Sequence, residues 1–267
     1  MTETTTGVRH VISADGTPLA LERVTDGPRP MVTLAGGPTG RAGWARVAAG
    51  LQGRFAVWLA DRRGKGDSGD TEPWSPEREY DDIDALCAFL GPDVVVAAHS
   101  SAALFALGAA ARGLAASSLV LYEPPWPLPG RPDDTPTLDA MDALAAAGDL
   151  EGSFTLGLTE LAKLPPQAVE GYRRAPEWAE QVANAASWPR EGHAIMAMDP
   201  GTAALSGVDI PTVMLLGETS QDFLRASTFA VAEALGDARV VELPGQAHAG
   251  LRTAPDLVAQ TILRAFG

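Results

Sequence analysis

Short apolar runs alternate with stretches of helical periodicity along most of the chain. Such alternation predicts a mainly parallel sheet covered by helices on both faces. VRHVISAD and PLALERV, separated by a DG turn, alternate apolar with polar positions and predict an N-terminal hairpin. PMVTLAGG is the first run with the continuous apolar character of a strand buried on both faces. After it come the glycine-rich turn GGPTGRAG and a helix around WARVAAGL. The pattern continues with the strand FAVWLAD, the turn RRGKGDSGD, a helix from Glu77 to Leu90 and the strand DVVVAAH. A helix from Ser101 to Arg112 and the strand SSLVLYE follow.

The period then breaks. PPWPLPGRPDDTPT places Pro124, Pro125, Pro127 and Pro129 where neither a strand nor a helix can continue. From Pro136 to Gly207 every periodic segment is helical, which predicts a helical insertion between two sheet strands. The strand VDIPTVMLLGE, a helix from Asp222 to Leu235, the strand ARVVELPG and the helix APDLVAQTILRAF resume the pattern. No internal repeat or low-complexity tail interrupts it.

Composition narrows the function classes. A chain of 267 residues with 46% hydrophobic and 20% charged content has room for a large core. Its 34 acidic against 20 basic residues leave a formal charge of −14, which argues against nucleic-acid and anionic-membrane partners. The N-terminal stretch lacks the apolar segment of a secretory signal, and no window approaches the roughly 18 apolar residues of a membrane span. A cytoplasmic protein, monomer or homodimer, is the expectation. Cys87 stands alone, which excludes an internal disulfide and a cysteine-based zinc site. No cluster of metal ligands is visible, so neither metal nor cofactor is expected.

Ligands of open parallel sheets bind beyond the carboxyl ends of the strands, so the turns after the strands are where chemistry is expected. Ser100 follows VVVAA with Ala98 and Ala102 on either side, a small-x-nucleophile-x-small pattern that would present the hydroxyl on a tight strand-to-helix turn. A helix-capping role is the plainer alternative. His248, in GQAHAG after the last strand, is the candidate base. The amides of Ser101 and of Gly37, in the turn after PMVTLAG, are candidate oxyanion donors.

Together LAGGPTG, DRRGKGDSG, AHSSA, LYEPP and ELPGQAH resemble the α/β-hydrolase fold family in order and spacing. The resemblance spans essentially the whole chain. It implies an α/β fold with a mostly parallel eight-stranded sheet, a core of residues 1–126 and 208–267, and residues 127–207 as a helical cap over the site. In that family the turn DRRGKGDSGD, with Asp61, Arg62 and Arg63, is mainly structural. Trp126, Trp178 and Trp188 are then candidates either to line a hydrophobic pocket or to form the core of the cap, and His193 is a candidate substrate contact.

Three features depart from the family pattern. The histidine that often braces the oxyanion turn is replaced in Ala35-Gly36, both elbow glycines are alanine, and GETSQD puts Ser220 where the usual aspartate would stand. Glu123, directly after SSLVLY, resembles the relatives whose acid follows the sixth strand. It is the first candidate for the acid, ahead of Asp222 and then Glu218.

These residues imply a hydrolase with a Ser-His-acid triad acting on an ester, lactone, thioester or activated carbon–carbon bond of a hydrophobic small molecule. The alternative is an enzyme of the same fold that catalyses a non-hydrolytic cyclisation, elimination or rearrangement in natural-product biosynthesis. A non-catalytic binding protein is the third reading, and Ser100 with His248 argues against it.

Overall fold

The computed structural model describes residues 7–267. Residues 1–6, the start of the expected core segment, lie outside the described residues. The chain forms one eight-stranded sheet in the order β1-β2-β4-β3-β5-β6-β7-β8. These strands are β1 (Arg9–Ile12), β2 (Pro18–Arg23), β3 (Arg29–Leu34), β4 (Phe55–Ala60), β5 (Val95–His99), β6 (Ser118–Tyr122), β7 (Thr212–Gly217) and β8 (Ala238–Leu243). The β1–β2 and β2–β4 pairs are antiparallel, and every other pair is parallel.

The unbroken apolar runs in the central strands follow from cover on both sides, because successive side chains point to opposite faces. Val96, Ala98, Leu119, Leu121 and Met214 enter one core cluster, which they share with the helices α2 (Pro76–Leu90), α3 (Ser101–Ala111) and α9 (Asp222–Ala234). Val95, Ala97, Val120, Tyr122, Val213 and Leu215 enter the other, with α1 (Ala45–Ala49) and α11 (Pro255–Ala265). A single turn, α10 (Gly250–Thr253), precedes α11 and was not expected from the sequence pattern. Helix α3 is buried along nearly its whole length. Its small residues suit that position: a Cβ on Gly108 would fall 2.3 Å from the ring of Tyr80 on α2.

Between β6 and β7 the regular structure is helical only. It comprises α4 (Thr135–Ala146), α5 (Leu150–Leu156), α6 (Pro166–Tyr172), α7 (Trp178–Ala183) and α8 (Ser187–Ala197), with a π-turn over Gly157–Leu161 and a 3-10 turn over Ala203–Leu205. This insertion has its own small core of Phe154, Leu158, Val169, Trp178 and Ala185. Among the described residues no helix is long and apolar enough to cross a membrane.

The strand order reverses around β3, with β4 on one side and β5 on the other. Such a switch point opens a crevice beyond the strand carboxyl ends. The turn Ala35-Gly36-Gly37 and Ser100 both lie there.

Candidate active site

Ser100 joins β5 to α3 with φ 55°, and Glu123 follows β6 with φ 48°. Only one other described non-glycine residue, Lys163, has a positive φ. Left-handed backbone at such residues costs about 1–3 kcal/mol each and persists where its surroundings hold it. Ladder bonds do this here: the Ser100 amide donates to Tyr122 O at 2.9 Å, and the Glu123 amide to Leu215 O at 3.2 Å. His99 and Tyr122 are register partners. The serine and the glutamate therefore leave adjacent strands side by side.

The elbow also depends on its neighbour across the crevice. A Cβ on Gly36 would stand 2.5 Å from Ser100 Cβ and 2.6 Å from His99 O, so the turn after β3 can approach this closely only with glycine. Ala98 and Ala102 are fully buried beside it.

His248, in the loop after β8, bridges the two strand-end residues. Its Nδ1 lies 2.6 Å from Glu123 Oε2, and its Nε2 lies 3.0 Å from Ser100 Oγ. Glu123 is fully buried. Its Oε1 accepts from the Gly217 amide at 2.6 Å and from Ser220 Oγ at 2.5 Å. Three donors around a buried carboxyl suit its ionised form. The carboxylate then accepts a hydrogen bond from Nδ1–H, leaving Nε2 to accept from the Ser100 hydroxyl.

Two side chains hold the histidine loop from beneath. Tyr122 donates its hydroxyl to Ala247 O, while His99 donates from Nε2 to His248 O at 2.9 Å. The phenol stays protonated because burial, reinforced by Glu123, raises its pKa. Burial, helped by nearby His248, pushes His99 well below the usual 6.5, so its ring is neutral. The His99 and His248 rings lie against each other, tilted by 37° with centroids 4.5 Å apart.

The turn after β3 is held by a buried set of charges. Arg62 grips Glu79 with two bonds of 3.0 and 2.9 Å and reaches Ala35 O at 3.3 Å. Glu191, on α8, accepts from Lys65 Nζ at 2.6 Å, from Arg62 Nη1 at 3.2 Å and from Ser101 Oγ at 2.6 Å. Ser101 Oγ in turn accepts from the Gly37 amide at 3.0 Å. Burial works to raise the Glu191 carboxyl, but Arg62 and Lys65 hold it well below the ordinary range. Burial, with Arg62 adding to it, pushes the Lys65 ammonium down to about 8.

The structure thus brings together Ser100, His248, Glu123, Gly37 and Ser101, and leaves other candidates elsewhere. Asp222 is the exposed first residue of α9, and Glu218 accepts from the Gly245 amide at 2.7 Å, away from the imidazole. His193 bonds Asp142 on α4 at 2.9 Å. Two residues beyond Glu191, it sits about 200° around α8 from the face that meets the site. Trp126 likewise has partners elsewhere. Its ring is buried in the core, its indole N–H donates to Gly201 O at 2.9 Å, and its backbone amide bonds Ser227 Oγ. Trp178 packs on Phe154 inside the insertion, with ring centroids 4.9 Å apart. Of the three tryptophans, Trp188 is the one beside the crevice, 3.9 Å from where a Gly37 Cβ would stand.

In the turn after β4, Asp82 grips Arg63 through two bonds of 2.7 Å, and Asp15 holds it from the hairpin. Sequence reasoning did not single out Glu191. Its signal is the buried stripe Ser187, Glu191, Ile195 on α8, an acid at helical spacing on an inward face.

Residues 31–261 match the family model described as the alpha/beta hydrolase family. Among solved structures, an alpha/beta hydrolase from Sphaerobacter thermophilus is 36% identical with a TM-score of 0.86, over 97% of this chain and 100% of that one. A thermophilic esterase from Thermogutta terrifontis is 23% identical with a TM-score of 0.73, over 97% and 98%. The enol-lactonase from Burkholderia xenovorans is 19% identical with a TM-score of 0.76, over 97% and 99%. No curated protein sequence matches the chain.

Two predictions follow from the hydrogen bonds beneath the site. Ser220→Ala removes one donor from a buried carboxylate and should lower unfolding stability by about 1.5–3 kcal/mol, read from urea denaturation. For His99, the native state binds fewer protons than the unfolded state below pH 6.5, so its contribution to stability is complete above that pH and is lost as pH falls. The melting temperature should therefore drop between pH 6.5 and about 5, and His99→Gln, which keeps a donor for His248 O, should flatten that slope.

Proposed function

The chain belongs to the α/β-hydrolase family, and from that premise we propose that it is a serine hydrolase in which Ser100, His248 and Glu123 form the catalytic triad. The observation that carries this reading is His248 spanning Ser100 Oγ at 3.0 Å and Glu123 Oε2 at 2.6 Å. Ser100 Oγ attacks the substrate carbonyl while His248 Nε2 takes its proton. Glu123 keeps the proton on Nδ1 and stabilises the imidazolium that forms. The carbonyl oxygen becomes an oxyanion in front of the amides of Ser101 and Gly37. The Ser101 amide is suited to this, because it opens α3 and no carbonyl of the helix can accept from it.

Collapse of the tetrahedral intermediate transfers the His248 proton to the leaving group, and water, deprotonated by the same imidazole, releases the acyl group from Ser100. Esters, lactones, thioesters and activated carbon–carbon bonds all suit this sequence of steps. Residues 127–207 act as a cap, and Trp188 beside Gly37 gives the crevice an aromatic wall for a hydrophobic substrate. The relay supports acyl transfer over a non-hydrolytic cyclisation, elimination or rearrangement, because it holds a serine oxygen against its proton acceptor with the acid behind it.

A fluorophosphonate probe should label the wild-type protein and not Ser100→Ala, and a folded wild-type protein that resists labelling would overturn the proposal. With a 4-nitrophenyl ester of a short acid, Glu123→Gln should lose about 10⁴-fold in kcat, as loss of the orienting acid does in other triads. Asp222→Asn should stay within about twofold, the range expected of an exposed residue outside the relay.

A further inference from the structure

The turn after β3 lacks the histidine that would brace it, yet three of its polar groups are held by side chains from other elements. Arg62 donates to Ala35 O at 3.3 Å, Asn184 Nδ2 donates to Pro38 O at 3.0 Å, and the Gly37 amide donates to Ser101 Oγ at 3.0 Å. Ser101 Oγ donates to Glu191 at 2.6 Å, so the orientation of its lone pairs, and with it that of the Gly37 amide, is set by Glu191. Glu191 is itself fixed, 1% exposed and bonded to Lys65 and Arg62. Asn184, Trp188 and Glu191 all come from the insertion. None of them belongs to the sheet that carries Ser100 and His248.

We propose that Glu191 is a positioning residue for the oxyanion turn, acting through the Ser101 hydroxyl on the Gly37 amide, so that docking of α8 assembles the oxyanion site. The inference rests on the serine-hydrolase reading and adds to it. Gly37, with φ +53°, has no side chain of its own to aim its amide. Ser101 supplies that aim, because it carries both the second oxyanion donor and the oxygen to which the Gly37 amide points. An amide proton is readily shared between two acceptors, and a charged oxygen is the stronger of the two. An oxyanion in front of Ser101 N can therefore draw the Gly37 proton into sharing, with the Ser101 hydroxyl as the acceptor that holds it until then. The acid at position 191 has the right chemistry for this task. A carboxylate can only accept from the Ser101 hydroxyl, which leaves the hydroxyl lone pairs for Gly37 and for Arg62, whose Nη1 lies 3.4 Å away.

The test compares Ser101→Ala and Glu191→Gln with the wild type on 4-nitrophenyl butyrate, with a trifluoromethyl ketone as transition-state analogue. Both variants should lose about 10- to 100-fold in kcat, short of the ~10²–10³ that follows outright deletion of an oxyanion donor. KM should stay within about threefold, and analogue affinity should weaken in parallel with kcat/KM, because the contact matters only when charge develops on the carbonyl oxygen. A merely structural role would leave the analogue affinity of the folded fraction unchanged. Ser101→Ala deletes a single oxygen and remains informative if Glu191→Gln fails to fold, with circular dichroism and melting as the check. Unchanged or raised kcat and analogue affinity in folded Ser101→Ala would overturn the inference, a rise meaning that the hydroxyl obstructs the Gly37 amide instead of aiming it. Failure of the wild type itself to turn over esters or react with the fluorophosphonate would instead sink the serine-hydrolase reading beneath it.

Discussion

The buried carboxylate of Glu123 is the point on which the arrangement of the strand ends depends. A fully buried carboxyl is tolerated only where donors surround it, and its three come from three separate places: the end of β7 through Gly217, the turn beyond it through Ser220, and the loop after β8 through His248. One anion thereby ties β6 to these three segments, which backbone bonds such as Thr219 N to Gln246 O already join to one another. The same carboxylate selects the imidazole tautomer, and with it the nitrogen that faces Ser100. Register does the rest, since His99 and Tyr122 pair across β5 and β6 and both reach under the histidine loop.

The second constraint is electrical. Arg62, Lys65, Glu79 and Glu191 are all nearly or fully buried, two cations against two anions, and their formal charges cancel. Buried ion pairs contribute little net stability relative to well-packed apolar groups, but losing one partner typically costs about 3–5 kcal/mol. Such a set acts chiefly by penalising every arrangement in which the charges part. Since Glu191 belongs to the insertion and the other three to the turn after β4 and to α2, the penalty falls on displacement of α8 from the sheet. The insertion is thus tied to the strand ends by charge, and its apolar core of Phe154, Val169 and Trp178 serves its own cohesion.

What could be seen in the sequence follows from the range over which each signal acts. Strands buried on both faces announce themselves as apolar runs, and the turns after them are predictable places for Ser100, Glu123 and His248. The split of Val95 and Ala97 from Val96 and Ala98 into two cores is likewise a local consequence of the strand period. The rotation of a helix in the insertion is not local, and this separates His193 from Glu191, two residues apart on opposite faces of α8. Glu191 finds its partners Lys65 and Arg62 across 126 and 129 residues of chain, a separation at which no spacing rule operates. Trp126 lies four residues past a strand end and turns into the core, where its amide meets Ser227 and its indole N–H meets Gly201 O, 101 and 75 residues further along the chain. The amide of Gly37 is the extreme case, since its direction is a property of the backbone, set here by a side chain from another element.

The departure at Ser220 and the presence of Glu123 are two halves of one solution. The turn after β7 offers a carboxylate an amide and, at position 220, a side chain; here that side chain is a hydroxyl, and the carboxylate arrives from β6 instead. Glutamate has the reach to place Oε1 at 2.6 Å from the Gly217 amide while Oε2 meets the imidazole. Ser220, left without the role of acid, becomes a donor at 2.5 Å to the residue that assumes it. An aspartate at 220 would set a second anion against Glu123, where Ser220 Oγ now stands 2.5 Å from it, and like charges that close strongly oppose each other's ionisation. The two positions are therefore mutually exclusive homes for the acid. Asp222, exposed and solvated at the start of α9, completes neither arrangement.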